Sequence, residues 1–281
     1  MERIRGSFEI GTDGRVSIMI DEGVTSIGES AFSGFYRLES VTIPDSVTSI
    51  GKQAFWRCNG LKSVTIPSGT TDIGLYAFSG CTHLTEIQVS AGNTHFKSVD
   101  GILFSADGKT LIQVPAGKGL TEYTIPEGVT HIGADAFYEC DDLTSVTIPD
   151  GVTSIGREAF RDCRSLESVT IPEGVTSIGE WAFGSCHRLK SLTIPASVKN
   201  IGALAFSDCC DLKSLTICDG VTEIGENAFW GCDRLTSVTI PASVKSIGNC
   251  AFLYCSVTIC GTEGSEAQKY AEREEIEFRR I

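Results

Sequence analysis

Residues 143–163 read LTSVTIPDGVTSIGREAFRDC, and nearly the same words stand 23 residues earlier and 23 residues later. The isoleucine before each proline marks the step. Ile20, Ile43 and Ile66 lie 23 apart, and after one interruption Ile125, Ile148, Ile171, Ile194, Ile217 and Ile240 resume the same spacing. A fixed period between about 20 and 50 residues is the signature of a solenoid, a propeller or an array, and this one falls in the leucine-rich range. One such unit cannot bury both faces of its own apolar residues. Copies stacked in register bury them against one another, so repetition is how the core is made.

Within the unit, LTSVTIP alternates around Leu143, Val146 and Ile148. Its β-branched residues suit a pleated strand, and the proline ends it. DGVTSIG opens with turn chemistry and closes on a glycine, which predicts a second extended piece on another side of the coil. In REAFRDCRSL, Ala159, Phe160, Cys163 and Leu166 recur at spacings of three and four. That predicts a turn or two of helix or 3-10 helix that lays Phe and Cys inward. The expected fold class is a β-rich α/β repeat solenoid: a right-handed coil with its strands in one parallel sheet, about 4.8 Å per rung.

Composition allows this and excludes much else. The chain has 281 residues, 41% of them hydrophobic and 21% charged, with 30 glycines, which is a folding composition. A repeat array grows by addition, so length does not count domains, and one continuous domain is expected. The formal net charge of −13 disfavours nucleic acid and anionic membrane as partners. No apolar run approaches the roughly 18 residues that cross a bilayer, so membrane insertion is not expected. The opening MERIRGSFEIG lacks the apolar core of a signal peptide. Either the chain stays in the cytoplasm or its export signal is not part of this sequence.

The template I-P-x-x-V-T-x-I-G-x-x-A-F-x-x-C-x-x-L resembles the BspA-like class of leucine-rich repeats, also called the Treponema pallidum type, over roughly residues 16–281. The resemblance implies a curved solenoid typical of bacterial surface proteins and adhesins, located at the cell surface or secreted. It implies no enzyme.

Departures from the template locate the ends and the interruption. SFEIGTDGRVSIMI reads as two strands joined at Asp13-Gly14, a hairpin capping the first coil over residues 1–19. The solenoid proper is expected over 20–259. Cys255 lies four residues before Ile259, where Cys232 lies eight before Ile240, so the last coil is cut short. Helix formers from Ser265 to Glu274 then predict a helical cap within 260–281. Ile125 follows Ile66 by 36 residues more than one period. The excess, about 89–124, carries Asp100-Gly101 and Asp107-Gly108 between β-rich runs and is expected to project as one or two hairpins. LIQVP imitates SVTIP, which predicts that Val114 adds an irregular rung to the strand sheet.

Of the twelve cysteines, Cys58, Cys81, Cys140, Cys163, Cys186, Cys209, Cys232 and Cys255 hold one place in the unit, where the first copy has Phe35. A phenylalanine can be neither ligand nor disulfide partner, so the place is apolar core with Cys as a small buried hydrophobe. Reduced thiols are expected. No C-x₂-C occurs, and His83, His95, His131 and His187 fall on different positions of the coil, so no metal and no cofactor is expected. DGKT at Asp107–Thr110 lacks the earlier glycine of a phosphate loop, with Leu103 in its place. No nucleophile paired with a base is visible, and no catalytic residue is assigned.

What remains is the surface of the strands. In S-V-T-I the Val and Ile point inward by alternation, which sends Ser and Thr outward in rung after rung. The candidate partner-binding residues are Ser145, Thr147, Ser168, Thr170, Ser191, Thr193, Ser214 and Thr216. Ser and Thr are also what a crowded solvent-facing ladder tolerates, because like charges repeated at each rung would repel. Three functions fit such a face: a protein-interaction or adhesion scaffold, a glycan-binding module, and a structural spacer with ice templating as a remote variant. The first is preferred. Sugar sites normally add aromatic platforms, and Trp56, Trp181 and Trp230 fall outside the strands. Expected partners are a protein, such as a host matrix or surface protein, or a glycan, with the chain itself a monomer.

Overall fold

The computed structural model describes residues 6–281, so the first five residues of the expected 1–19 cap lie outside the described residues. The chain forms two compact units. One runs to Gly119 and includes Gly133–Cys140, and the other comprises Leu120–Ile132 and Asp141–Ile281. Each is built of parallel-strand coils stacked at the 23-residue step, with Ser49 paired to Asp72 in the first and Ser191 to Ser214 in the second.

The regular coils of the second unit offer two strands each. One row, with the S-x-T pattern in its regular coils, runs through Glu122–Thr124, Ser145–Thr147 and Ser168–Val169 in one sheet, then Ser191–Ile194, Ser214–Ile217, Ser237–Thr239, Thr258–Gly261 and Phe278–Arg280 in another. The second row is made of two-residue strands such as Ser154–Ile155, Ser177–Ile178 and Asn200–Ile201. The glycines after Ser177–Ile178 and Asn200–Ile201 are required by close approach. A Cβ on Gly202 would stand 2.5 Å from the Gly179 carbonyl carbon.

The A-F-x-x-C corner uses i→i−3 bonds of the 3-10 kind but does not run on into helix. Trp181, Leu204 and Asn227 take left-handed backbone with φ of 58°, 58° and 54°, as do Ser185 and Asp208 at 60° and 58°. Alternate N–H groups therefore point in different directions. Ala182, Gly184 and Cys186 close bonds of 3.2, 3.0 and 3.3 Å to Gly179, Trp181 and Phe183 of their own coil. Trp181, Phe183 and Ser185 instead donate to Ala203, Ala205 and Ser207 of the next coil, at 3.0, 2.7 and 2.7 Å. A left-handed residue costs about 1–2 kcal/mol when it is not glycine, and the crossing bonds offset it.

The core is a set of side-chain ladders. Phe160, Phe183, Phe206, Phe229 and Phe252 stack at centroid distances of 4.9, 5.2, 5.3 and 5.1 Å with planes within 8° of parallel. Phe32, Phe55 and Phe78 do the same in the first unit, at 5.1 and 5.4 Å. Beside this column the cysteines are more than small hydrophobes. The thiols of Cys186, Cys209 and Cys232 donate to the carbonyls of Phe160, Phe183 and Phe206 in the preceding coil, at 3.2, 3.4 and 3.3 Å. All twelve cysteines are free.

Strands Gly6–Ile10 and Val16–Ile20 pair antiparallel around Asp13-Gly14, as the Asp-Gly pair predicts, and Val16–Ile20 then pairs parallel to Leu38–Thr42. At the other end the helix Glu266–Arg273 buries Ala267, Tyr270 and Ala271. A final strand follows it, Phe278–Arg280, parallel to Thr258–Gly261, where helix alone had been expected.

The insert departs from expectation. Strands Phe96–Val99, Ile102–Ser105 and Thr110–Gln113 form the two expected hairpins as one antiparallel meander. It does not project. Ile102, Leu103, Phe104 and Leu111 are buried, because an unbroken apolar run such as ILF has no solvent face. Nor does Val114 join the S-x-T row. Its N–H donates to Ala136 at 2.7 Å and Gly133 donates to Leu111 at 2.8 Å, the bonds made elsewhere by the corner phenylalanine and the second-row isoleucine. LIQVP shares letters with SVTIP but stands in for the I-G-x-x-A-F part of a coil.

Candidate functional site

Two hydroxyl rows run along the coils, and their hydrogen bonds separate them. In the second row, Thr153 and Thr176 donate their hydroxyls to the carbonyls of Thr130 and Thr153, both at 3.1 Å, and Thr222 donates to Lys199 at 3.0 Å. The first unit repeats this, with Thr48 bonding Thr25 and Thr71 bonding Thr48 at 3.1 and 3.3 Å. These hydroxyls already serve the fold.

The S-x-T row behaves differently. Val146, Val169, Leu192 and Leu215 are buried, while Thr147, Ser168, Thr170, Ser191, Thr193, Ser214 and Thr216 are exposed and Ser145 is half-buried. Pairing holds them in register, Ser145 beside Ser168, Ser191 beside Ser214 and Thr193 beside Thr216. Among the described residues, none of these eight hydroxyls has a hydrogen-bond partner within the protein. All eight residues singled out from the sequence thus lie on one kind of face, with donors and acceptors open to a ligand. In the first unit the equivalent face is partly self-satisfied. Ser40 bonds Ser17 at 2.8 Å, and Gln88 bonds Glu86 at 2.8 Å.

Charges flank the rows in alternating sign. Glu167 accepts from Lys190 at 2.6 Å and lies 4.0 Å from Arg188, while Asp211 pairs with Arg234 at 2.8 Å. Hydrogen bonding from Lys190 holds the Glu167 carboxyl below its ordinary value. Exposed pairs of this kind contribute about 0–1 kcal/mol each, so they set register more than stability.

The face is not flat throughout. A depression of about 340 Å³ opens between the strands Ser214–Ile217 and Ser237–Thr239, lined by Lys213, Ser214, Thr216, Ser237 and Thr239. No sequence signal marks it, since SLTIC and SVTIP read alike.

The tryptophans stand on the corners, as their position outside the strands implied. Arg161 lies 4.4 Å over the Trp181 ring, and Trp230 meets Tyr254 edge-on at 5.3 Å. Among the described residues no group of three His, Cys, Asp or Glu could hold a metal, and no helix is long and apolar enough to cross a membrane.

A family profile described as the BspA type leucine rich repeat region matches six copies, over residues 11–109 and 130–259. No curated protein matches the sequence. Among solved structures, the pneumococcal vaccine antigen PcpA is 25% identical, with a TM-score of 0.77 over 94% of this chain and 67% of that one. A leucine rich cell surface protein from Faecalibacterium prausnitzii is 34% identical, with a TM-score of 0.69 over 91% of this chain and 62% of that one. A leucine-rich repeat protein from Bacteroides ovatus is 26% identical at a TM-score of 0.62, over 98% and 75%. The chain spans about two thirds of the length of the first two relatives.

Proposed function

The chain belongs to the BspA type leucine-rich repeat family, and from that premise we propose that it is a non-enzymatic protein-interaction scaffold of the bacterial cell surface. The observation that carries the reading is the contrast between the two hydroxyl rows. One is bonded internally, and the other, at Ser145, Thr147, Ser168, Thr170, Ser191, Thr193, Ser214 and Thr216, has no hydroxyl partner among the described residues. An extended polar sheet face suits a partner that touches many rungs weakly, because the Trp, Tyr and Arg anchors that dominate compact interfaces are absent from its regular rungs. Surface location follows the relatives, one of which is described as a cell surface protein. The insert contributes by completing coils, since its apolar strand is buried.

Changing Ser168, Thr170, Ser191 and Thr193 together to lysine tests the reading. Capture of extracellular matrix proteins is expected to fall at least tenfold, while a corner variant with Trp230→Ala and Tyr254→Ala captures as the parent does. Loss in the corner variant with retention in the lysine variant overturns the proposal.

A further inference from the structure

Strand pairing along the S-x-T row lapses between Ser168–Val169 and Ser191–Ile194, and the series of backbone bonds that precede the strands opens at a different step. Just before each strand, a backbone N–H normally crosses to the preceding coil. Thr144 donates to Thr121 at 2.7 Å, Glu167 to Thr144 at 2.9 Å, Lys190 to Glu167 at 3.2 Å and Lys213 to Lys190 at 3.0 Å. The next bond in the series, from Thr236 to Lys213, is missing among the described residues. Ser214–Ile217 and Ser237–Thr239 are paired only through Thr216 and Thr239, whereas Ser191–Ile194 and Ser214–Ile217 are paired at four residues. The shortened last coil follows directly, with register moved to Ser237 beside Thr258.

The depression of about 340 Å³ lies over this opening. Its rim presents the Lys213 ammonium, which has no ion-pair or hydrogen-bond partner among the described residues, and the hydroxyls of Ser214, Thr216, Ser237 and Thr239. Lys213 is the one charged residue of the lining. A chain of net charge −13 thus carries a locally positive, hydroxyl-lined hollow. Leu215 and Ile217 are buried beneath it and offer no apolar socket.

We propose that this hollow binds an acidic saccharide, with Lys213 engaging a carboxylate or sulfate oxygen and the Ser214, Thr216, Ser237 and Thr239 hydroxyls engaging the sugar hydroxyls. Each hydroxyl both donates and accepts, which matches a polyol. One unpaired ammonium matches one oxyanion. A peptide side chain would need an apolar anchor, and the two apolar residues of the lining, Leu215 and Ile217, are buried. The proposal goes beyond the protein-interaction reading and needs only the hollow, not the wider strand face.

The test is titration calorimetry with four probes: a uronate-containing disaccharide, the same disaccharide with its carboxyl reduced to an alcohol, a sulfated disaccharide, and a hexapeptide of glutamates. The uronate or the sulfate disaccharide is expected to bind, and the tighter of the two identifies the oxyanion. The reduced disaccharide binds at least tenfold more weakly, and raising salt weakens the acidic probes. Lys213→Gln weakens them about tenfold with unchanged thermal melting, Lys213→Arg restores them, and Thr216→Val with Thr239→Val weakens all saccharides. Equal binding of the reduced disaccharide, no effect of Lys213→Gln, tighter binding of the hexapeptide, or no saccharide binding at millimolar concentration overturns the proposal. The lysine variant at Ser168, Thr170, Ser191 and Thr193 leaves the hollow intact. If it loses protein capture while the parent binds no saccharide, the hollow alone fails. If it keeps capture while Lys213→Gln loses the saccharide, the strand-face reading fails and the hollow stands.

Discussion

The hydroxyl of Tyr270 accepts the backbone N–H of Phe252 at 3.0 Å. In the four preceding coils the corresponding phenylalanine N–H donates to an alanine carbonyl of the next coil, as Phe229 does to Ala251 at 2.8 Å. The last coil has no successor, and the helix supplies the acceptor. Arg273 does the same for the second row, donating to the Ile247 carbonyl at 3.0 Å, where the earlier Ile224 carbonyl receives Gly248 at 2.8 Å.

Tyr270→Phe is therefore expected to destabilise the chain by about 1–3 kcal/mol, the cost of a buried N–H left without an acceptor. Urea unfolding measures it. A change below about 0.5 kcal/mol would show that water replaces the hydroxyl.

Phe206 stacks on Phe183 at 5.2 Å and on Phe229 at 5.3 Å and is fully buried. Its replacement by alanine opens a cavity inside the column and should cost about 3–5 kcal/mol. The same change at Phe32, which has one ring neighbour and is only half-buried, should cost less. Equal losses would contradict a column held by its neighbours.

The two hydroxyl rows make a paired prediction. Thr176→Val removes a donor from the Thr153 carbonyl and should lower stability by about 1 kcal/mol. Thr170→Val removes an unpartnered exposed hydroxyl and should change stability by under about 0.5 kcal/mol. Denaturation of both variants against the parent decides it, and a reversed order would mean that the strand-face hydroxyls serve the fold.

Burial pushes the Cys58 thiol from 9.0 up to about 12, against a backbone hydrogen bond, and pushes the Tyr270 hydroxyl from 10.0 up to about 12. Above pH 9 the unfolded chain holds fewer protons at these groups than the folded one, so stability falls with rising pH. It is expected to be fully present below about pH 9 and to decline from there toward pH 12. Cys255 is different. It is half-buried, where Cys58 and Cys186 are fully buried. Alkylation of the native chain at pH 8 should modify Cys255 while sparing Cys58 and Cys186. Uniform labelling would contradict the buried ladder.

The period, the inward Val, Phe and Leu rows, the Asp-Gly hairpins and the outward Ser and Thr pairs were all legible in the sequence, because each depends on local chemistry repeated in register. Whatever depends on the neighbouring coil was not. The corner reads as helix by its three-and-four spacing, yet coil-to-coil bonds claim every second N–H. Gly202 reads as a turn residue, yet it is there because the backbone near Gly179 leaves no room for a Cβ. The recurrence of Cys beside a phenylalanine column was the available sign of a thiol donor, since Ala or Val would fill the same space. The opening at Lys213 was foreshadowed only by the shortened last coil, and the hollow itself could not be read because it depends on the register of the next strand.

The account's central claim is that partners meet the S-x-T face. Deuterium exchange of the chain alone and bound to a captured partner tests it most directly. Protection is expected over Ser145–Thr147, Ser168–Val169, Ser191–Ile194 and Ser214–Ile217. Protection confined to the corners around Trp181 and Trp230, with these strands unchanged, would contradict it.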